Sequence, residues 1–215
     1  MQHSGRGGET LTINKGSVFN TEEAVIIIKS SAPTIIVDNA KLNSKNNVIL
    51  QVMVSDDPGS GRNGGTVNAS FSNMTMKGDI INSMTTLGDL NADFKNAEIT
   101  GAITMSTWKT QAEIKGIDIS AFSPFDAKGA AYSYLIGNGV NTYCNPGNTY
   151  GVKVSLDQKS TWTIDKTSYL TGLTLAEGAV LKAPKGYSLV MTVDGIKTTI
   201  TAGTYAGTIV LSVVS

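Results

Sequence analysis

The sequence predicts an all-β chain, a single-stranded right-handed parallel β-helix (β-solenoid) with a C-terminal hairpin cap. Three observations predict it: an outline that recurs at coil-like spacing, a composition of turn and hydroxyl residues, and sparse helical patterning. The outline carries most weight. Segments 36–42, 71–76, 94–99 and 114–119 each place an apolar residue two positions before Asn39, Asn73, Asn96 or Gly116, then continue as an alternating strand. The asparagines lie 34 and 23 residues apart, and Gly116 follows 20 later. Gly78-Asp79-Ile80 returns as Gly101-Ala102-Ile103, again after 23 residues. Weaker copies begin at Ile13 and Ile164. A step of about 20 to 25 residues is one coil of three short strands, so the chain accommodates about six to eight coils.

Asparagine at a repeated corner has a physical reason. It tolerates the left-handed backbone region. Its amide also bonds the asparagine of the next coil, so Asn39, Asn73 and Asn96 are expected to form a buried structural ladder. Glycine at 116 keeps the corner but interrupts the ladder.

The long step from Asn39 to Asn73 has an evident source. Ser55–Thr66 is almost pure turn chemistry, Ser-Asp-Asp-Pro-Gly-Ser-Gly-Arg-Asn-Gly-Gly-Thr, and reads as a loop ejected from one coil. A second insertion, 129–151, breaks the repeat. Residues 1–9 read as a flexible N-terminal segment and 10–215 as the solenoid. Near Thr21–Ala24 there is the one short helical signal. Asp194-Gly195 joins two strand-like runs, 189–193 and 196–200, as a hairpin that covers the last coil. Residues 1–12 are too short and polar to cover the first, which leaves upstream residues or another molecule for that task.

Composition agrees. Of 215 residues, 40% are hydrophobic, only 16% are charged and 23 are glycine. Neutral amides and hydroxyls therefore cover much of the surface. Seventeen basic residues balance 17 acidic ones, so nothing marks a nucleic-acid or anionic-membrane surface. No apolar run is long enough to span a bilayer. Met1–Glu9 is not a signal peptide. A secreted chain freed of its leader begins this way, and so does a cytosolic one. The single cysteine, Cys144, has no internal disulfide partner, and the single histidine, His3, falls in an expectedly frayed terminus.

On these repeats the chain resembles right-handed β-helix domains of the pectin-lyase-like and autotransporter-passenger-like type. Ser160–Ile164, Ser168–Leu173 and Glu177–Val180 are similar to the closing coils of secreted bacterial surface proteins. Gly203–Leu211 resembles a common ending of uncharacterised β-helix proteins of bacteria. The resemblance implies fold and an extracellular or cell-surface location. It carries over no active residue.

Candidate sites are few, and no catalytic motif stands out. Tyr132, Tyr134, Tyr143 and Tyr150 cluster in the second insertion, with Phe122 and Phe125 just before it. Either they pack on the solenoid flank or they form a platform for a glycan or a protein partner. Asp56 and Asp57, in one loop with Arg62, read first as a hydrophilic turn and are only weak candidates for calcium, which carboxylates of this fold bind in polysaccharide lyases. Asp79, Asp89, Asp93, Glu98, Glu113 and Asp118 are scattered and read as a solvated face. Trp108 and Trp162 read as packing residues. The threonine-rich strand 198–201 lacks the period of an ice-binding face.

The expectation for function is a non-enzymatic extracellular structural or adhesin-like domain, binding a glycan or a host or cell-surface protein through the aromatic insertion. Two other readings stand beside it. One is a polysaccharide lyase or glycoside hydrolase of the β-helix type, by analogy of fold. The other is a fibre subunit that self-associates end to end.

Overall fold

A computed structural model describes residues 2–3, 8–55, 63–119, 134–136 and 138–215. After β1 (Gln2–His3) the chain cycles through sheets. The strands β2 (Thr10–Ile13), β3 (Val18–Thr21) and β4 (Ile26–Lys29) make one coil, and β5 (Thr34–Asp38), β6 (Lys41–Ser44) and β7 (Val48–Met53) the next. Then come β8 (Val67–Lys77) with β9 (Asp79–Asn82), and β10 (Leu90–Thr100) with β11 (Ile103–Thr110). A helix, α1 (Gln111–Lys115), and β12 (Gly139–Tyr143) interrupt the cycle. It resumes with β13 (Val152–Leu156) and β14 (Thr161–Thr163), then β15 (Ser168–Leu175) and β16 (Val180–Lys182). Strands β17 (Ser188–Val193), β18 (Ile196–Thr198) and β19 (Gly203–Val214) close the chain.

The architecture is all-β, with parallel strands in sheets and a solenoid-like stacking of successive coils. Strands β2, β5, β8, β10, β13 and β15 pair in parallel in that order. A second sheet stacks β1, β4, β7, β9 and β11 in parallel, and β3 pairs with β6. The register reports the coil length directly. Thr10 faces Thr34, a step of 24, and Val67 faces Leu90, a step of 23. The step from Thr34 to Asn68 is 34, and that from Leu90 to Val152 is 62. Beyond it the coil shrinks to 19, from Lys153 to Gly172.

Corners come from local backbone chemistry. Asn39, Asn73 and Asn96 all take positive φ, at 47°, 53° and 51°. The bend lets the 11-residue strands β8 and β10 turn a corner without breaking their pairing. At the next corner Gly78 and Gly101 stack at φ of 139° and 144°, and a Cβ on Gly101 would lie 2.4 Å from the Gly78 carbonyl oxygen.

Alternation then builds one core. Ile13, Val37, Phe71, Phe94 and Leu156 stand in register in one column, all buried. The Phe71 and Phe94 rings stack with centroids 5.4 Å apart. Trp162 is fully buried and donates its indole N–H to the Gly101 carbonyl at 2.8 Å.

The C-terminal end is closed as a hairpin and more. Asp194-Gly195, both at positive φ, turn β17 into β18. Strand β19 inserts antiparallel between β15 and β17, so the parallel stack ends against an antiparallel meander. At the opposite end, Gln2 and His3 pair with Ile27 and Ile28 on the edge of β4. His3 therefore falls in a short strand.

Three expectations are corrected. Residues 114–119 are not a fourth repeat strand, because 111–115 form α1. The Thr110 hydroxyl accepts the Glu113 N–H, the Glu113 carboxylate accepts the Thr110 N–H, and Gly116 ends the helix at φ 63°. The chain thus leaves the coil at Gln111, well before 129. No helix forms at Thr21–Ala24; Thr21 ends β3, and its hydroxyl donates to the Glu23 carbonyl at 2.7 Å.

Candidate binding cleft

Strand β11 serves two partners. Its first residues, Ile103–Met105, continue the parallel sheet on β9. Its remainder pairs antiparallel with β12, from Ser106 opposite Tyr143 to Thr110 opposite Gly139. The insertion thereby folds back over the outer face of sheet strands β4 and β7 and leaves a cleft of about 200 Å³. Glu23, Lys29, Gln51, Trp108, Asn138 and Asn141 line it.

Trp108 sits diagonally across from Gly139, and that glycine is required. A Cβ there would lie 2.4 Å from Trp108 Cε2 and 2.5 Å from Cζ2. The ring is thus seated on bare backbone while the side chain stays partly exposed at the cleft. Polar groups surround it in fixed positions. The Asn141 amide donates to Gln51 Oε1 at 2.8 Å, and the Gln51 amide donates to Ser83 Oγ at 2.9 Å. Glu23 Oε2 accepts from the Asn46 amide at 2.6 Å. Asn141 Oδ1 is buried with no partner among the described residues. An aromatic face, two amides and a carboxylate in one cleft can bind a small polyhydroxylated ring. Nothing in the sequence around Trp108 signals this cleft, because the fold-back that forms it pairs Trp108 with Asn141, far along the chain.

The tyrosines are not brought together as a platform among the described residues. Tyr134 is exposed and receives the Lys115 ammonium 5.0 Å from its ring centroid. Tyr150 lies beside Thr85, whose carbonyl accepts its N–H. Tyr143 faces the solenoid, where its hydroxyl donates to Asp79 Oδ2 at 2.5 Å. That oxygen also accepts from Lys166 Nζ at 2.6 Å, and Asp79 Oδ1 accepts the Ala102 N–H at 2.8 Å. Burial, together with the Asp79 hydrogen bond and the charges of Asp79 and Asp165, pushes the Tyr143 hydroxyl far above its ordinary pKa. This cluster latches the insertion onto the stack. Tyr132 lies outside the described residues, as do Asp56, Asp57 and Arg62.

At the corner asparagines the Asn96 amide donates to Asn73 Oδ1 at 2.9 Å. The Asn73 amide donates onward to Asp38 Oδ1 at 2.8 Å and not to Asn39, so the expected three-residue ladder is not continuous. All three asparagines are exposed, not buried. Two further amide rungs join residues 23 apart, Asn43 to Asn20 at 2.9 Å and Asn91 to Asn68 at 2.8 Å.

The scattered carboxylates stay scattered, but Asp79 is buried and not on a solvated face, because Tyr143, Lys166 and the Ala102 N–H hold its carboxylate. Asp89 binds Lys153 Nζ at 2.6 Å and the Gly151 N–H at 2.8 Å, Glu113 caps α1, and Asp93, Glu98 and Asp118 are exposed. Among the described residues no group of three or more acidic, histidine or cysteine side chains is placed to hold a metal ion. Among them, too, no helix is long and apolar enough to cross a membrane. Comparison with family models, with curated proteins and with solved structures found no match.

Proposed function

We propose that the protein is a non-enzymatic, extracellular or cell-surface domain of the right-handed parallel β-helix type, structural or adhesin-like, which holds a glycan-binding cleft on its flank. One observation carries the reading: Trp108, seated on Gly139, shares a cleft with Gln51, Asn141 and Glu23. The ring offers a flat face to the C–H side of a sugar, and the amides and carboxylate offer donors and acceptors to its hydroxyls. The right hand follows from the general preference of parallel crossover connections. The likeness to pectin-lyase-like and autotransporter-passenger-like domains supports the surface location. A rigid stack of coils suits display of such a cleft.

The test is a tryptophan-emission titration with glucose, galactose, mannose and N-acetylglucosamine. Trp162 is sealed in the core, so a change in emission reports Trp108. A saturable change that Trp108→Phe and Gly139→Ala both remove supports the reading. Emission unmoved by all four sugars overturns it. Incubation with oligosaccharides of any sugar that binds tests the non-enzymatic part, and the appearance of shorter products turns the reading to the lyase or hydrolase.

A further inference from the structure

Two rows of outward side chains cross the stacked coils at the asparagine corner. Asn39, Asn73 and Asn96 form the first. Two residues on, Lys41, Thr75 and Glu98 form the second, all exposed. Between the rows Ala40, Met74 and Ala97 turn inward and are buried. The positive φ of each asparagine folds one row toward the other, so the rows become the walls of an open groove of about 470 Å³. Ala40 and Met74 contribute to its floor, and Lys159 lies at the Asn96 end.

We propose that this groove is a second binding site, separate from the Trp108 cleft, which takes an extended neutral polysaccharide lying along the stack. Coils repeat every ~4.8 Å, so the asparagine row presents like groups at a fixed interval, as a polymer of like units requires. The asparagine wall offers amides, which donate and accept at once, as sugar hydroxyls do, and the facing wall offers Lys41, Thr75 and Glu98. Asn39 keeps its whole amide free, since its side chain makes no hydrogen bond among the described residues. Charge does not select a polyanion: Lys41 and Lys159 flank Glu98, and Thr75 at the centre is neutral.

The experiment is native affinity electrophoresis in gels cast with soluble β-linked glucan, xylan or mannan, one polymer per gel. Two variants probe the groove. Asn39→Gly/Asn73→Gly/Asn96→Gly removes every amide while keeping backbones that accept positive φ without strain. Thr75→Arg fills the groove from an exposed position. The wild type is expected to be retarded in at least one gel, and both variants to lose at least tenfold in retardation. Trp108→Phe should keep the retardation, which separates this site from the cleft. Should the triple variant fail to fold by circular dichroism, Thr75→Arg decides. Unretarded wild type in all three gels overturns the proposal, and so does a folded variant retarded as strongly as wild type.

Discussion

Asp157 Oδ1 accepts the backbone N–H of Asn96 at 3.1 Å, across 61 residues of sequence. The same oxygen accepts from the Ser160 hydroxyl at 2.7 Å and the Lys159 N–H at 3.1 Å. Asp157 follows Leu156, the register partner of Phe94, and so caps the Asn96 N–H at the corner of the next coil. Asp157→Ala removes an acceptor shared by three donors. It is expected to lower unfolding stability by about 1–3 kcal/mol, read from the shift of the urea midpoint.

Acid sensitivity follows from the same corner. Burial pushes the Asp157 carboxyl up, but the hydrogen bonds from Ser160, Asn96 and Lys159 outweigh it and hold the pKa below the usual range. Asp38 is also lowered, by the Ser72 and Asn73 side-chain hydrogen bonds. A carboxyl whose folded pKa is depressed stabilises above its unfolded value of about 3.9, and the contribution is lost as pH falls through the folded value. Stability should therefore decline below about pH 4, with a shallower acid limb in Asp157→Asn. Equal slopes for the two proteins would refute this origin.

Alkaline behaviour tests the latch. Tyr143 has its pKa raised, so its protonated form is favoured by folding, and the contribution is complete below the unfolded value of about 10. Ultraviolet titration of tyrosinate should show one tyrosine still protonated when the exposed ones have ionised. Tyr143→Phe should remove that late step and loosen β12, seen as faster amide exchange at 139–143.

Asn82 is fully buried and has no group to spare. Its amide donates to the carbonyls of Gly151 at 2.9 Å and Gly88 at 3.1 Å, and its Oδ1 accepts the Met84 N–H at 2.9 Å. Asn82→Ala removes a hydrogen bond from three buried backbone groups, of which the Gly151 carbonyl keeps the Leu90 N–H, and is expected to cost about 2–4 kcal/mol in chemical denaturation.

Gly101→Ala sets a Cβ against the Gly78 carbonyl at a φ that side chains avoid. A loss of about 3 kcal/mol or more is expected, with a drop in Tm by calorimetry. Gly116→Ala meets no neighbour within 4 Å and should cost about 1 kcal/mol, from its positive φ alone.

The coils were legible in the sequence because their corners are chemically special. Few residues other than asparagine and glycine accept positive φ cheaply, so Asn39, Asn73, Asn96, Gly78 and Gly101 mark the bends openly. Ile114-Lys115-Gly116-Ile117 copied that outline and misled, since a helix C-cap also calls for glycine at positive φ. The deciding signal was the Thr110-to-Glu113 capping box just upstream. The cleft was not legible at all. Trp108 gains its role from Gly139 and Gln51, which reach it through an antiparallel fold-back and a neighbouring coil, and neither contact leaves a periodic trace. Tyrosine density marked the insertion, but gave no sign that Tyr143 is drawn inward by a buried carboxylate.

The 23-residue register has a consequence for how the length of this protein can change. Val67 stands opposite Leu90 and Ile80 opposite Ile103, so residues 67–89 are one interchangeable unit. Duplicating or excising that unit brings every inward side chain back over an inward one and leaves the meander at the far end untouched. The groove would gain or lose one asparagine with each unit, and the cleft would widen or narrow by one coil, since Gln51 stands on one side of the unit and Trp108 and Asn141 on the other. Reach along the stack and the opening of the flank cleft are thus coupled, and both change in whole steps of one coil.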